Sequence, residues 1–272
     1  MDELQRTVVV TGGTDGIGRA VALKLGAQGD RVLFTGRDPG RAAGTLAGLP
    51  PGRGSMFLPA DLSLMADTGR LADEIQARTG KIDALVCCAG CLANEPAWTA
   101  EGNEYTLALN VLSRLLLVER LQQRLANVVL VAAAGRYPDT LNFDDLQARK
   151  GGRGRWVSGR TQFANDLLAV ELAERRPELG VFCVYPGLTR TAVFRNATGF
   201  PAPVRAVAML VQRLVGRDPG RAAETPARLA GPERYRSGFY GPGLRPRAIP
   251  ARARDPRRRE QLWAAGQECL DV

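Results

Sequence analysis

A glycine-rich segment near the start of the chain limits what this sequence can fold into. Residues 11–20 read TGGTDGIGRA and follow an apolar run at residues 8–10, so a strand must turn sharply into a helix. Gly12 permits the backbone angles of that turn, Gly16 lets a pyrophosphate approach the main chain, and Gly18 allows close packing of helix on strand. Because the positive end of the helix dipole would face the phosphates, the segment predicts a dinucleotide site.

Segments of strand and helix character alternate along the chain. The predicted strands are residues 7–10, 31–34, 55–58, 84–87, 128–132, 181–185 and 238–240. The predicted helices are residues 16–28, 40–47, 65–79, 103–123, 157–175 and 204–215. This order predicts a single α/β domain: a doubly wound, Rossmann-type parallel sheet of about seven strands with helices on both faces. We assign residues 1–250 to this domain and residues 251–272 to a basic C-terminal helical tail that packs on it or extends it.

Composition limits the function classes. The 272 residues carry a net charge of +9, and much of the excess comes from Arg245, Arg247, Arg252, Arg254, Arg257, Arg258 and Arg259. Aromatic residues are not interleaved with these arginines, so we interpret them as a solvated surface and expect no nucleic acid partner. The apolar runs are too short for a membrane span and residues 1–4 do not resemble a signal peptide, so we expect a cytoplasmic protein.

Histidine is absent and cysteine is scarce. The lack of histidine excludes His-based catalytic triads and His metal sites. Cys87, Cys88 and Cys91 lie close together, but three thiols without a fourth ligand make a poor zinc site. We therefore interpret these cysteines as small buried apolar residues and expect no metal.

Two segments bear on the choice of nucleotide. The second strand ends at Gly36, and Arg37 stands where an acidic residue would bind the ribose 2′-hydroxyl of NAD. Arginine suits a 2′-phosphate, which predicts NADP(H), whereas the following Asp38 is interpreted as a helix N-cap. Asp61 and Leu62 follow the third strand, where they suit the adenine amine or simply form a turn.

Taken together, these motifs resemble the short-chain dehydrogenase/reductase family, and its retinol-dehydrogenase-like branch in particular, over almost the whole chain. Further segments that resemble this branch are residues 88–90, 141–146, 185–191 and 231–241. The resemblance implies an oxidoreductase with an NADP-binding domain, a small-molecule substrate, and cofactor contacts at Gly12, Thr14, Gly16, Ile17, Gly18, Arg37, Asp61, Leu62, Gly90, Gln162, Pro186, Gly187, Leu188 and Thr191. Many relatives pair through the helix that carries Ser158, so a homodimer or higher oligomer stays open, unless the basic tail blocks it.

The catalytic positions of the family hold different residues in this chain. The family places a serine after the fifth strand, then a tyrosine and a lysine four residues apart on the next helix. An alignment without gaps puts Ala133, Ser158 and Gln162 at these positions, and leaves Asn110 as the family's active-site asparagine. A phenol has a pKa of about 10, whereas a serine hydroxyl is a far weaker acid and Gln162 brings no charge to assist it. Ordinary ketone reduction is therefore disfavoured.

One carboxylate is spaced to join this site. Ser158, Gln162 and Asp166 recur at i, i+4 and i+8, so we expect them on one stripe, the first two facing the nicotinamide. Asp166 would then steady a cationic substrate or move a proton; alternatively, it pairs with an arginine or faces solvent at a subunit contact. Tyr137 and Tyr185 are candidates to replace the missing phenol.

Three functions stay open on the sequence. The preferred one is an atypical NADP(H)-dependent reductase in secondary metabolism that delivers hydride to an activated substrate such as an imine or iminium, with or without coupled cyclisation. In its lost residues the chain is similar to imine reductases of this family in fungal indole-alkaloid assembly, some of which couple reduction to a cycloaddition. The alternatives are a non-redox cyclase or isomerase with the nucleotide as scaffold, and a nucleotide-binding pseudoenzyme. Loops 136–155 and 189–203 are expected to shape the pocket.

Overall fold

The sheet of this protein contains eight strands in the part of the chain that the structure, a computed structural model, describes: residues 5–151, 156–191, 193 and 197–270. They are β1 (Thr7–Thr11), β2 (Arg31–Gly36), β3 (Met56–Pro59), β4 (Ala84–Cys87), β5 (Asn127–Val131), β6 (Gly180–Val184), β7 (Gly238–Tyr240) and β8 (Pro246–Arg247). Their order is β3-β2-β1-β4-β5-β6-β7-β8. All neighbours are parallel except β7 and β8. The strand order runs from β1 toward β3 on one side and from β4 toward β8 on the other, so the topological switch point, where α/β sheets open a binding crevice, lies between β1 and β4.

Helices cover both faces of this sheet. The longer ones are α1 (Gly16–Ala27), α2 (Pro39–Leu46), α3 (Met65–Arg78), α5 (Ser113–Leu121), α6 (Trp156–Arg175), α7 (Ala202–Val215) and α10 (Pro256–Leu270). The shorter ones are α4 (Tyr105–Leu107), α8 (Pro219–Ala222) and α9 (Glu224–Ala230), and a π-helical segment, Ala108–Leu112, joins α4 to α5. Among the described residues, no helix combines the length and apolar character needed to cross a bilayer.

The predicted architecture is confirmed, with three differences. Each predicted strand is present within two residues of its expected ends, but a two-residue antiparallel strand, β8, makes the sheet eight-stranded rather than seven-stranded. The helix predicted over residues 103–123 is instead divided into α4, the π-helical segment and α5. The short helices α8 and α9 were not predicted. Parts of the two long predicted loops, residues 152–155, 192 and 194–196, lie outside the described residues.

The core follows from the alternation of side chains along the strands. Val8 and Val10 point to the face covered by α1 and α9, whereas Val9 points to the face covered by α3, α5 and α6. Both faces of the central strands are buried, which is why those strands read as continuous apolar runs. Two apolar layers therefore hold β1, β4 and β5 rigidly, with their carboxyl ends side by side.

Candidate functional site

The β1–α1 turn has the geometry that its glycines suggest. Gly12 and Gly16 adopt φ angles of +66° and +53°, the left-handed region that favours glycine. A Cβ atom at Gly18 would lie 2.2 Å from the carbonyl oxygen of Gly12, so α1 can approach β1 this closely only with glycine there. Asp15 caps α1 by accepting a 2.7 Å hydrogen bond from the Gly16 N–H. Gly16, Ile17 and Gly18, the first residues of α1, line a cleft.

This cleft runs along the carboxyl edge of the sheet and has a volume of about 490 Å³. It brings together most of the predicted site residues, namely Gly12, Thr14, Gly16, Ile17, Gly18, Arg37, Asp61, Leu62, Gly90, Asn110, Gln162 and Thr191. The other predicted residues, Ser158, Asp166, Pro186, Gly187 and Leu188, do not line it. Thr191 closes one side, since its Cγ2 atom would lie 3.1 Å from a Cβ atom at Gly16.

Two arginines stand at the β2 end of the cleft. The Arg37 guanidinium donates to the Tyr105 hydroxyl at 3.2 Å and lies 3.9 Å from a carboxylate oxygen of Asp61. Arg41, on α2, also lines the cleft and contacts Asp15 at 3.4 Å. Sequence reasoning missed Arg41, although its place in the first turn of α2, four residues after Arg37, was a usable signal. Both cations are half exposed or more, so an anion can reach them.

The two aspartates near these arginines have definite structural partners. Asp38 accepts hydrogen bonds from the N–H groups of Gly40 and Arg41, which is the N-cap geometry that the sequence suggested. Asp61 accepts bonds from the N–H and the hydroxyl of Ser63, and therefore forms a turn after β3. Its second oxygen lies toward Arg37 at the cleft wall.

The opposite end of the cleft is fixed by Asn110. Its side-chain oxygen accepts from the Cys91 N–H at 2.9 Å, while its amide donates to the Cys91 carbonyl and to the Thr161 hydroxyl. The π-helical segment places Asn110 between the loop after β4 and helix α6. Asn110 therefore holds these elements together, and Gln162, one residue beyond Thr161, lines the cleft.

The Ser158 hydroxyl forms two hydrogen bonds with the main chain of Ala93. Its hydroxyl donates to the Ala93 carbonyl at 2.8 Å and accepts from the Ala93 N–H at 2.6 Å, within a buried contact. The main chain of residues 92–94 also pairs with that of residues 197–199, with Ala93 opposite Thr198. These two segments therefore meet beside the cleft. Ser158 was predicted to face the nicotinamide; it is a buried anchor instead, because the loop after β4 fills the space in front of it.

A buried cation lies at the base of the cleft. The Arg114 guanidinium donates to the Asn165 side chain at 2.7 Å and to the carbonyls of Ala89 and Val131 at 3.0 Å. No carboxylate of a described residue forms an ion pair with it, and burial lowers its pKa. Sequence reasoning missed Arg114; an arginine within the apolar run of α5, one turn after Asn110, was the available signal. It places positive charge beneath Gly90 and the ends of β4 and β5.

Asp166 lies below the cleft rather than in it. It is fully buried, and both carboxylate oxygens accept from the Gly135 N–H, at 3.1 and 3.0 Å. The Cys183 thiol lies 3.6 Å away, and burial raises the pKa of Asp166 to about 7. The expectation that Asp166 faces a substrate is wrong for a helical reason: each four-residue step turns about 40° further, so two steps from Ser158 carry it toward the sheet.

The tyrosines proposed to replace a missing phenol also lie outside the cleft. The Tyr185 ring contacts the guanidinium groups of Arg136 and Arg247, whose carbons are 4.5 and 5.8 Å from its centre. Tyr137 is exposed and packs beside Gly159. Neither lines the cleft, and Ala133, at the serine position, is buried. Among the described lining residues the one phenol is that of Tyr105, whose hydroxyl accepts a hydrogen bond from Arg37.

Comparison with known proteins gives consistent matches. Residues 6–138 match the family model for short chain dehydrogenases. "Putative daunorubicin C-13 ketoreductase DnrU" of Streptomyces sp. (strain C5) is 33% identical over 203 residues, covering 70% of this chain and 68% of that protein. Dehydrogenase/reductase SDR family member 13 of Homo sapiens is 30% identical, covering 96% and 72%. Retinol dehydrogenase 12 of Homo sapiens is 27% identical, covering 98% and 87%.

Solved structures show the same fold at lower identity. The crystal structure of an uncharacterized protein from Mycobacterium Paratuberculosis superposes with a TM-score of 0.77 at 24% identity, covering 98% of this chain and 94% of that one. A short chain dehydrogenase from Shigella flexneri 2a, crystallised in complex with NADP, gives a TM-score of 0.65 at 22% identity, covering 89% and 98%. At these identities the similarity is one of fold.

Proposed function

The chain belongs to the short-chain dehydrogenase/reductase family, in its retinol-dehydrogenase-like branch, and we propose that it is an NADP(H)-dependent reductase without the family's usual proton donor. This proposal depends on the contacts of the Ser158 hydroxyl, which occupies the position of the family's tyrosine. The hydroxyl donates one hydrogen bond to the Ala93 carbonyl and accepts one from the Ala93 N–H. A hydroxyl committed in this way has no proton to offer a substrate.

The residues present fit a dinucleotide. The glycine turn would hold the pyrophosphate at the N-terminus of α1, where a Cβ atom at Gly18 has no room and Gly16 leaves the main chain open. Leu62 and Asp61 would contact the adenine, and Gln162 the ribose near the nicotinamide, since all three line the cleft. Gly90 would back that ribose, and Thr191, which lines the cleft, would hold the nicotinamide amide, whereas Pro186, Gly187 and Leu188 do not line it.

The two arginines beside β2 support NADP(H) over NAD(H). Arg37 and Arg41 both line the cleft and retain exposed guanidinium groups that can contact a 2′-phosphate. The two described carboxylates that line the cleft near these arginines already have partners: Asp15 accepts from the Gly16 N–H, and Asp61 accepts from Ser63. We therefore infer that charge at this end selects the phosphorylated nucleotide.

The substrate should be one that needs no proton from the protein. When bound, a reduced nicotinamide supplies a hydride to an electrophilic carbon. A ketone then requires a positioned acid, typically worth about 10²–10⁴ in rate, whereas an iminium becomes a neutral amine without one. Asp166 cannot steady a cationic substrate by contact, because it is buried on Gly135. We therefore propose an acceptor that carries its own activation, such as an iminium or an imine that has taken its proton from solvent, with or without cyclisation.

A binding experiment tests the nucleotide assignment. Titration of the protein with NADPH and with NADH, followed by nicotinamide fluorescence, should give tighter binding of NADPH. Arg37→Ala should weaken NADPH binding by about tenfold or more and change NADH binding little, because one charge-assisted contact is lost. Arg70→Ala is the control, since Arg70 pairs with Asp67 and Glu74 outside the cleft. Equal affinity for both nucleotides would refute the preference.

A substrate panel tests the reaction. NADPH oxidation is measured with cyclic imines and with ketones of similar size. We expect the protein to reduce imines, and to reduce ketones more slowly by about the factor that a positioned acid contributes to the rate. Turnover of ketones alone would overturn the proposed acceptor class while leaving the nucleotide assignment intact.

A second function, nucleotide binding without redox chemistry, is favoured by one observation. Residues 92–94 and 197–199 pair through main-chain hydrogen bonds, and Leu92 and Thr198 both line the same end of the cleft. This pairing joins two segments whose residues line the cleft together with Gln162, so a substrate must share the cleft with them. A non-redox cyclase would form product equally well with NADP⁺, and a pseudoenzyme would bind nucleotide without turning over any panel substrate.

A further inference from the structure

Helix α7 turns most of its apolar side chains toward solvent. Val204, Val207, Met209, Leu210, Val211, Leu214 and Val215 are all exposed, with Leu214 at 72% and Val215 at 68%. The buried residue of this helix is Gln212. Single exposed apolar residues are common on protein surfaces, but seven on one helix form a patch that indicates an interaction surface.

The exposed residues form a continuous face. At 100° per residue, six of them, all except Met209, fall within an arc of about 140°. Gln212 lies on another side of the helix, where it donates hydrogen bonds to the Thr189 carbonyl and the Thr191 hydroxyl. Since this polar contact attaches α7 to the body of the protein, the apolar arc points away from the core. We call this arc the α7 apolar face: Val204, Val207, Leu210, Val211, Leu214 and Val215.

The charged residues of the segment that contains this face have one sign. Every charged residue between positions 179 and 217 is an arginine, and Arg205 and Arg213 are exposed on α7 itself. Next to the end of α7, Arg190, Arg217 and Arg221 line a surface pocket of about 670 Å³ together with Val215 and Gly216. The pocket also contains Asp218, whose carboxylate accepts from the Gly220 N–H as the cap of α8. Apolar surface therefore continues directly into a site suited to phosphate groups.

We propose that the α7 apolar face docks on an anionic phospholipid surface, with the adjoining arginine pocket taking lipid phosphates. An amphipathic helix with arginines beside its apolar side lies in the bilayer interface without spanning it. A second copy of this chain is a poorer occupant, because a twofold contact would bring two arginine-only segments together. An anionic membrane instead supplies complementary charge, about 1 kcal/mol for each arginine near its surface.

Docking would also orient the cleft. Gln212 connects α7 to Thr191, which lines the cleft, and α7 begins four residues after Thr198, which lines it as well. The cleft would then open beside the bilayer surface, where apolar small molecules concentrate.

Vesicle cosedimentation tests the proposal on the full chain. Wild-type protein should sediment with vesicles of phosphatidylcholine and phosphatidylglycerol and much less with phosphatidylcholine alone. The variant V207Q/L214Q should lose most of this binding. R190Q/R217Q should weaken it about 25-fold, the product of about fivefold for each arginine. Leu46→Gln is the matched control, an exposed apolar residue on α2 away from the face, and circular dichroism establishes that all variants are folded.

Three results would overturn the proposal. The first is wild-type protein that stays in the supernatant with anionic vesicles. The second is equal binding by V207Q/L214Q and the Leu46→Gln control. The third is a concentration-dependent dimer, seen by light scattering, that V207Q/L214Q abolishes while vesicles bind none of the proteins; the α7 apolar face would then be an interface between copies of the chain.

Discussion

At the scale of single residues, Asp166 is the most constrained titratable group near the site. Its carboxylate is buried against the Gly135 N–H, and burial raises its pKa from 3.8 to about 7, although that hydrogen bond, the Cys183 thiol and Arg247 act in the opposite direction. A carboxyl group with a raised native pKa stabilises the fold while it is protonated in both states. That contribution is present below about pH 4 and is lost as the pH rises toward 7.

Replacing this carboxyl should therefore change the pH dependence of stability. In Asp166→Asn, the neutral amide keeps one acceptor for Gly135 and cannot ionise. We expect the free energy of unfolding of the variant, relative to wild type, to rise by on the order of 2 kcal/mol between pH 5 and pH 8. Urea denaturation at both pH values measures it. Asp73→Asn is the control, since Asp73 is exposed beside Arg120. A difference that does not vary with pH would contradict the expectation.

At the scale of elements, the β1–α1 unit depends on one close approach. Because a Cβ atom at Gly18 would lie 2.2 Å from the Gly12 carbonyl oxygen, Gly18→Ala must push α1 away from β1. We expect a loss of about 1–3 kcal/mol of stability and much weaker NADPH binding. Gly44→Ala is the control: its Cβ would meet nothing within 4 Å in α2, so it should leave binding unchanged and add about 0.5–1 kcal/mol. Thermal unfolding and NADPH titration distinguish them, and equal behaviour of the two variants would refute the argument.

The glycine turn and the strands were predictable because their signals are local. Apolar runs such as Val8–Val9–Val10 identify buried strands, and a glycine triplet identifies the turn that follows. The partner of Ser158 was not predictable, since Ala93 lies 65 residues away and meets it only in the folded chain. The interruption of the helix around Asn110 was equally hidden, because one extra residue per turn hardly alters an apolar pattern.

Charge assignments failed for a related reason. Sequence spacing put Asp166 on the stripe of Ser158 and Gln162, yet the angular drift of a four-residue helical row turned it inward. Arg114, for which no role was predicted, lies at the base of the cleft. Gly12, Gly16, Gly18 and Arg37 were placed at the cleft because a motif fixes each one relative to a strand end, and Gln162 because an alignment without gaps assigned it to the family's lysine position. Whether a charged side chain faces solvent, cleft or core depends on packing that spacing alone does not specify.

At the scale of the whole molecule, α10 covers helices that would otherwise expose an apolar face. Gly266 lies so close to α5 that a Cβ atom there would be 2.6 Å from a Leu115 methyl carbon. Arg259 pairs with Glu171 and Glu174 of α6, and the Arg175 guanidinium lies 4.3 Å from the centre of the Trp263 ring. Part of the basic C-terminal segment therefore forms ion pairs within the protein. Because α10 covers this side of α6, the helix that carries Ser158, a second copy of the chain cannot pack against it there.

The wild-type chain should therefore not pair through α5 and α6, and loosening α10 should allow it to. Gly266→Leu leaves no room for α10 beside Leu115, so we expect a loss of about 1–3 kcal/mol of stability and association that increases with concentration. Ala264→Leu puts the same side chain at an exposed position of α10 and should behave as wild type. Thermal unfolding and light scattering after gel filtration measure both effects. A wild-type dimer that Gly266→Leu dissociates would contradict the expectation, because α10 would then form the interface rather than block it.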